Sequence, residues 1–215
     1  MTRNPHHVTK VLVIGPTSAP WVAIAAEVEA DLARLSRHGV AIAYRCTGAG
    51  PAEIRSDADA LAAAPFVVQT AIDAAGEGFD ALIVDCTADP GVADARAAVH
   101  IPVIGAGAAM HTAVAQARQP VCALTGDDLR RLSEPALLSR VRGSATVALG
   151  GTGFSKLVDL LTRECPGVLV LDPLILFLGP DTNPNSDLQV RHALAPENNG
   201  RWSGEGAAVM SRPAR

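Results

Sequence analysis

Short apolar runs alternate with longer alanine-rich segments along most of the chain. The apolar runs are rich in Val, Ile and Leu and predict strands at residues 11–14, 40–44, 81–84, 101–104, 121–124, 146–149 and 168–171. The segments between them have helical spacing and predict helices at residues 21–37, 60–75, 91–99, 106–118, 127–132, 135–141 and 154–163. Pro65 should lie in the first turn of its helix or break it. This order of elements predicts an α/β fold with a parallel sheet and helices on both faces.

The order of elements repeats once in weaker form. Cys86 and Gly151 each follow a strand, and each precedes a helix and a further strand, so they occupy equivalent positions. The repeat predicts two pseudo-symmetric halves, residues 8–118 and 119–178, that face each other across a cleft, with the second half shortened. Residues 179–215 lose this periodicity and predict a loop-rich tail. Ligands of parallel α/β sheets bind beyond the carboxyl ends of the strands, which places both positions at the predicted cleft.

Composition narrows the possible functions. Of the 215 residues, 48% are hydrophobic and 19% charged, which excludes extensive disorder. Aromatic residues make up 3% and the net charge is -4, so a nucleic-acid partner is not expected. The polar N-terminus and the short apolar runs predict neither a signal peptide nor a membrane span, and hence a soluble cytoplasmic protein. The four cysteines include no CxxC pair, which predicts neither a metal site nor a disulfide framework.

Candidate chemistry concentrates at residues 80–91, which have the sequence DALIVDCTADPG. A buried strand leads to Cys86, and a helix should begin near Pro90. Free N–H groups and the positive end of that helix would stabilise a thiolate, so we expect a lowered thiol pKa and fast alkylation of Cys86 below about pH 8. The alternative is that Cys86 only packs in the core. Its polar neighbours Thr87 and Asp89 favour the catalytic interpretation.

Two other loops follow strands and could hold the oxygens of an anionic substrate. Thr17 and Ser18 come after the first strand, although Ser18 could equally cap the next helix. Gly151 and Thr152 lie in a glycine-rich turn, which allows close approach of an anion to the backbone. The stretch 105–107, Gly-Ala-Gly, is too short for a nucleotide-binding motif and predicts a plain turn.

These segments resemble the Asp/Glu/hydantoin racemase family. The resemblance is carried by DCTADPG at residues 85–91, VLVIGPTSAP at 11–20 and VALGGTGFSKLVDLL at 147–161. It implies two α/β halves around an active site and cofactor-independent proton transfer at a carbon next to a carboxylate or carbonyl. Two cysteines of that family act on opposite faces of this carbon, one as base and one as acid. Cys86 matches the first cysteine, and the residues expected to hold the substrate oxygens are Thr17, Ser18, Thr87, Gly151 and Thr152.

One departure from the family divides the functional hypotheses. Gly151 stands where the second cysteine is usual, and glycine cannot transfer a proton. Our first hypothesis is a racemase or isomerase that uses Cys86 on a small amino-acid, hydantoin or dicarboxylate-like substrate, with Cys46, His111 or a water replacing the second thiol. The second is a malonate-type decarboxylase, resembling arylmalonate decarboxylase, in which one thiol protonates the enediolate. The third is a shortened relative without activity.

The expected partner is a small-molecule carboxylate or amide substrate, with no cofactor, metal, nucleic acid or membrane. Because the second half is short, its exposed face could be covered by a second subunit in a homo-oligomer.

Overall fold

The computed structural model describes residues 8–18, 28, 32, 40–125, 128, 131–151, 154–173 and 176. Most of the predicted helix at 21–37 lies outside these residues, although Val28 and Leu32 are helical. The predicted helix at 127–132 is described only in part, and the predicted tail at 179–215 lies wholly outside.

The described elements follow the predicted alternation. The strands are β1 (Thr9–Gly15), β2 (Val40–Cys46), β3 (Ala81–Val84), β4 (Val103–Gly105), β5 (Val121–Leu124), β6 (Thr146–Leu149) and β7 (Leu169–Leu171). The helices are α1 (Asp57–Gly76), α2 (Val92–Ala98), α3 (Ala106–Gln116), α4 (Glu134–Val141) and α5 (Ser155–Glu164).

The strands form two parallel sheets. The first sheet has four strands in the order β2-β1-β3-β4, and the second has three in the order β5-β6-β7. Every pairing between neighbouring strands is parallel. The predicted α/β class with two parallel-sheet halves is therefore confirmed, and the chain passes from one sheet to the other between α3 and β5.

Both faces of the first sheet are buried, because its central strands are apolar and buried at residues 11–15 of β1 and 81–84 of β3. Leu12 and Ile14 face α1 and α2, where they pack with Val67 and other small apolar side chains. Val11 and Val13 face the other way, towards Val28, Leu32, Ala106 and Ala109. This continuous burial distinguishes strands of a doubly covered parallel sheet from the alternating strands of an open one.

Helix α3 packs against both sheets. Ala106 and Ala109, in its first turn, belong to the core on the first sheet. Met110 and Ala113, further along, pack with Leu169 and Leu171 of β7 and with other apolar side chains of the second half. The helix that follows β4 therefore links the two halves.

The prediction for Pro65 is wrong. Helix α1 begins at Asp57, after Ser56 accepts a hydrogen bond from the N–H of Asp59, and it runs through Pro65 to Gly76. Proline removes one intrahelical hydrogen bond. The helix continues because its inner face, which includes Val67 and Ala71, is fully buried against the first sheet, and burial of an apolar face stabilises helices in proteins more than local propensity does.

Candidate active site

The carboxyl ends of the first four strands meet at one edge of the first sheet. Gly15 pairs with Cys46, Ile14 with Val84, and Val84 with Gly105. The loops after these strands therefore carry Thr17, Ser18, Cys86 and Thr87 to the same edge. Four of the six residues predicted for the site are brought to this edge, which is where ligands of parallel sheets bind.

Cys86 occupies a tight loop directly after β3. Its N–H donates to the carbonyl of Val84 at 3.0 Å, and its carbonyl accepts from the N–H of Asp89 at 3.0 Å. The N–H of Ala88 donates to the Cys86 sulfur. The thiol is half-buried and is not part of a disulfide. The two backbone hydrogen bonds hold the main chain of Cys86 on both sides.

The prediction of a lowered pKa for Cys86 is wrong. Burial raises the pKa of Cys86 to about 11, and the negative charges of Asp85 and Asp89 act in the same direction. The N–H of Ala88 acts the other way but is outweighed. Sequence reasoning counted the backbone donors and the helix, which favour a thiolate, and missed the two carboxylates and the desolvation, which favour the neutral thiol.

The sequence analysis named Asp89 only as a polar neighbour of Cys86 and missed its contacts with α3. Its carboxylate accepts hydrogen bonds from the N–H groups of Gly107 and Ala108, each at 2.7 Å, in the first turn of α3. Burial raises the pKa of Asp89, and these two donors together with the charges of Arg96 and His111 oppose the rise. The sequence feature that could have revealed this contact is Gly-Ala-Gly at residues 105–107. α3 begins there, and its N-cap residue Gly105 has no side chain that could accept hydrogen bonds from the first turn.

A second polar group lies at the end of β2. The Tyr44 hydroxyl is hydrogen-bonded to the Cys46 sulfur, and burial raises the pKa of both groups. The Thr17 hydroxyl oxygen lies 4.0 Å from the same sulfur. A Cβ at Gly15 would fall 2.3 Å from the Tyr44 oxygen, so only glycine leaves room for this hydroxyl. Cys46 is thus engaged within the first half, on the same sheet as Cys86 and two strands away.

The loop that carries Thr17 and Ser18 is held by the loop after β2. The N–H of Ser18 donates to the carbonyl of Pro51 at 3.0 Å, and the Thr17 carbonyl accepts from the Thr47 hydroxyl at 2.9 Å. Of the groups predicted to hold a carboxylate, the Ser18 N–H is therefore already bonded within the protein. The role of the two hydroxyls in substrate binding stays a prediction.

Gly151 lies after β6 in the second half. Among the described residues, a Cβ at this position would contact one ring carbon of Phe154, at the ordinary distance of 3.5 Å. A Cβ at Gly151 is therefore compatible with the described surroundings. Thr152 lies outside the described residues. Asp172, buried at the end of β7, is a further polar residue of this half, and His111 is an exposed residue of α3.

The described residues offer neither a cluster of metal ligands nor a helix that could span a membrane. No cluster of three or more His, Cys, Asp or Glu side chains there could hold a metal ion. None of the described helices is long and apolar enough to cross a membrane.

Comparison with known proteins identifies the family of the chain. A family model described as Asp/Glu/Hydantoin racemase matches residues 11–142, which is more than half of the chain. The chain belongs to this family. No curated protein sequence matches the chain, so the family assignment rests on the family model.

Solved structures agree in fold. Allantoin racemase from Klebsiella pneumoniae has a TM-score of 0.61 and 23% identity, over 77% of this chain and 83% of that one. Allantoin racemase from Pseudomonas fluorescens has a TM-score of 0.58 and 16% identity, over 77% and 86%. A double mutant of arylmalonate decarboxylase in its liganded form, with one glycine changed to cysteine and one cysteine to serine, has a TM-score of 0.51 and 14% identity, over 76% and 86%. At these identities the likeness establishes the fold alone.

Proposed function

We propose that this protein is a cofactor-independent enzyme that transfers a proton, through Cys86, at a carbon next to a carboxylate or carbonyl of a small substrate. The observation that carries the proposal is the fixed, half-buried thiol of Cys86 at the carboxyl edge of the first sheet, within the part of the chain that matches the racemase family. Isomerisation of an amino-acid, hydantoin or dicarboxylate-like substrate is the first candidate reaction, and two of the similar structures are allantoin racemases.

The substrate oxygens would be held by the loops around this thiol. The hydroxyls of Thr17, Ser18 and Thr87 lie on loops at the same edge of the sheet as Cys86, and we propose that they bind the carboxylate or carbonyl. Gly151 and Thr152 would approach from the second half. Donors aimed at the substrate oxygens would stabilise the enediolate that proton removal or decarboxylation produces.

Decarboxylation is the second candidate, and the glycine at 151 favours it. Racemisation needs an acid and a base on opposite faces of the carbon. Cys46 is poorly placed to transfer a proton at the opposite face of the carbon. It lies at the same sheet edge as Cys86, and its sulfur is hydrogen-bonded to the Tyr44 hydroxyl. Loss of carbon dioxide generates an enediolate without a base, so one thiol completes the reaction. An arylmalonate decarboxylase mutant is among the similar structures, which makes this reaction a candidate for the present fold.

The ionisation of Cys86 also favours proton donation. With its pKa raised to about 11, the free thiol is neutral near pH 7. A neutral thiol can protonate an enediolate at once. As a base it would first have to lose its proton, against the carboxylates of Asp85 and Asp89.

One panel of substrates separates the candidates. Allantoin, 5-substituted hydantoins, aspartate, glutamate and 2-methyl-2-phenylmalonate are incubated with the enzyme in deuterium oxide. Deuterium at the α-carbon is followed by proton NMR, optical activity by circular dichroism, and carbon dioxide by release assay. Deuteration with loss of optical activity identifies a racemase, whereas carbon dioxide release with a single product enantiomer identifies a decarboxylase.

The matched variants are Cys86→Ser and Cys165→Ser. Cys165 follows α5 in the second half and packs against that half's core. It is not on the loops that carry the proposed site residues, so its substitution should leave activity unchanged. Cys86→Ser should abolish it. Activity that survives Cys86→Ser, or no turnover of any substrate by the wild type, contradicts the proposal, and the second outcome favours a relative without activity.

A further inference from the structure

The loop that carries Cys86 is tied to α3 through the carboxylate of Asp89. One carboxylate oxygen accepts from the N–H of Gly107 and the other from the N–H of Ala108, both at 2.7 Å. We propose that Asp89 is a positioning residue for Cys86: it anchors the loop of residues 85–91 on the first turn of α3. This role rests on the proposed function, in which Cys86 transfers the proton.

The backbone of Asp89 is held in an unfavourable conformation. Its φ of 49° lies in the left-handed region, which is disfavoured for residues with a Cβ atom, although aspartate adopts it more readily than most. The N–H of Val92 donates to the Asp89 carbonyl and the N–H of Asp89 donates to the Cys86 carbonyl. Hydrogen bonds to an ionised carboxylate are roughly twice as strong as neutral ones. The two bonds to α3 therefore offset the conformational cost and keep the loop in this shape.

The start of α3 is shaped to receive this loop. A Cβ at Gly105 would lie 2.4 Å from an Asp89 carboxylate oxygen, and a Cβ at Gly107 would lie 2.3 Å from the Thr87 carbonyl oxygen. Both distances are too short for a residue with a Cβ atom at position 105 or 107. Gly105 provides no side-chain cap, so Asp89 supplies the missing acceptors from the preceding loop. The positive end of α3 is consequently occupied by the protein's own carboxylate and is not the binding site for a substrate anion.

The same carboxylate acts on the chemistry of Cys86. Asp89 and Cys86 are joined through a backbone hydrogen bond of 3.0 Å, and the N–H of the intervening Ala88 donates to the sulfur. The negative charge of Asp89 favours the neutral thiol. The charged and titratable groups that act on this pair are Asp85 and Tyr44 near Cys86, and Arg96 and His111 near Asp89. Asp89 therefore influences both the place of the thiol and its protonation.

Alkylation of Cys86 tests the proposal without a substrate. Wild type, Asp89→Asn and Asp94→Asn are treated with iodoacetamide between pH 7 and pH 10, and modification of the Cys86 peptide is timed by mass spectrometry. Asp94 is an exposed residue of the first turn of α2, so it is the matched control. Loss of the Asp89 charge should raise the rate at pH 8 by roughly 3- to 10-fold, corresponding to a fall of about half to one unit in the thiol pKa. The control should match the wild type, and equal rates in all three proteins overturn the proposal.

A measurement on the wild type covers the case in which Asp89→Asn does not fold. The amide resonances of Gly107 and Ala108 are followed by ¹⁵N NMR while the pH is lowered. Both should titrate together, with one midpoint above the ordinary aspartate value of 3.8, because both N–H groups bond a carboxylate whose pKa is raised. Independent or absent titration overturns the anchoring. If the anchoring holds while no substrate turns over, the proposed function fails and the positioning of Cys86 does not.

Discussion

The ionisation of Cys86 is the property on which the proposed chemistry depends, and alkylation measures it directly. Burial and the charges of Asp85 and Asp89 move the pKa of Cys86 from an ordinary 9.0 to about 11. At pH 8 the thiolate fraction then falls from about one tenth to about one thousandth. Because the thiolate is the nucleophile, Cys86 should react roughly a hundredfold more slowly at pH 8 than an unperturbed thiol.

The shape of the pH profile separates ionisation from access. The wild-type protein and N-acetylcysteine amide are alkylated at half-unit steps from pH 7 to pH 10, and the Cys86 peptide is quantified by mass spectrometry. Limited access to a half-buried thiol lowers the alkylation rate equally at every pH. A raised pKa instead moves the pH at which the rate levels off to a higher value. The rate for Cys86 should still rise about tenfold per unit between pH 9 and pH 10, where the reference thiol levels off. A plateau below pH 9 would refute the assignment of Cys86 as a neutral proton donor.

Three further predictions follow from the same geometry. Between pH 9 and pH 11 the unfolded chain loses the Cys86 proton while the folded protein largely keeps it, so stability falls as the pH rises. Over this range urea unfolding should show the wild type losing about 2 kcal/mol more than Cys86→Ala, and parallel losses would contradict the raised pKa. Gly107→Ala places a Cβ 2.3 Å from a backbone carbonyl and should cost about 1–3 kcal/mol in urea unfolding, whereas the control Gly76→Ala, in open space at the end of α1, should gain about 0.5–1 kcal/mol. Gly151→Cys should fold like the wild type, since among the described residues a Cβ there meets one Phe154 ring carbon at 3.5 Å. It should gain α-deuterium exchange with inversion on any substrate that the wild type protonates on one face, and a folded variant without this exchange would argue against a site shared between the halves.

Local patterns in the sequence were sufficient to predict most of the fold. β3, β5 and β6 have the predicted bounds, since each is a short and mostly apolar run. β3 and β6 are buried at every position, as expected for central strands of a parallel sheet, whereas β5 lies at the edge of its sheet and is only partly buried. The carboxyl-end position of Cys86 follows from the end of β3 and needs no knowledge of other elements. The repeat predicted that β5 belongs to the second half, whereas the order of the strands within each sheet depends on pairing between distant segments, which periodicity does not encode.

The electrostatics of the site could not be predicted for the same reason. Asp89 reaches α3 across 18 residues of sequence, and Thr17 approaches the Cys46 sulfur across 29 residues. Sequence spacing shows which donors are close to Cys86 along the chain, and these favour a thiolate. The burial and the carboxylates that reverse the direction of the pKa shift arise from the packed structure.

The neutral state of Cys86 and the glycine at 151 support the same chemistry. In a site with two thiols, one must be a thiolate that removes the proton and the other a thiol that returns it. Cys86 has the environment of the thiol that returns the proton, because burial and the charges of Asp85 and Asp89 all favour its protonated form. With glycine at the equivalent position in the other half, the base is the member of the pair that is missing. A reaction that creates its own enediolate by losing carbon dioxide has no need of that base, and its product would receive the proton from Cys86 on one face only.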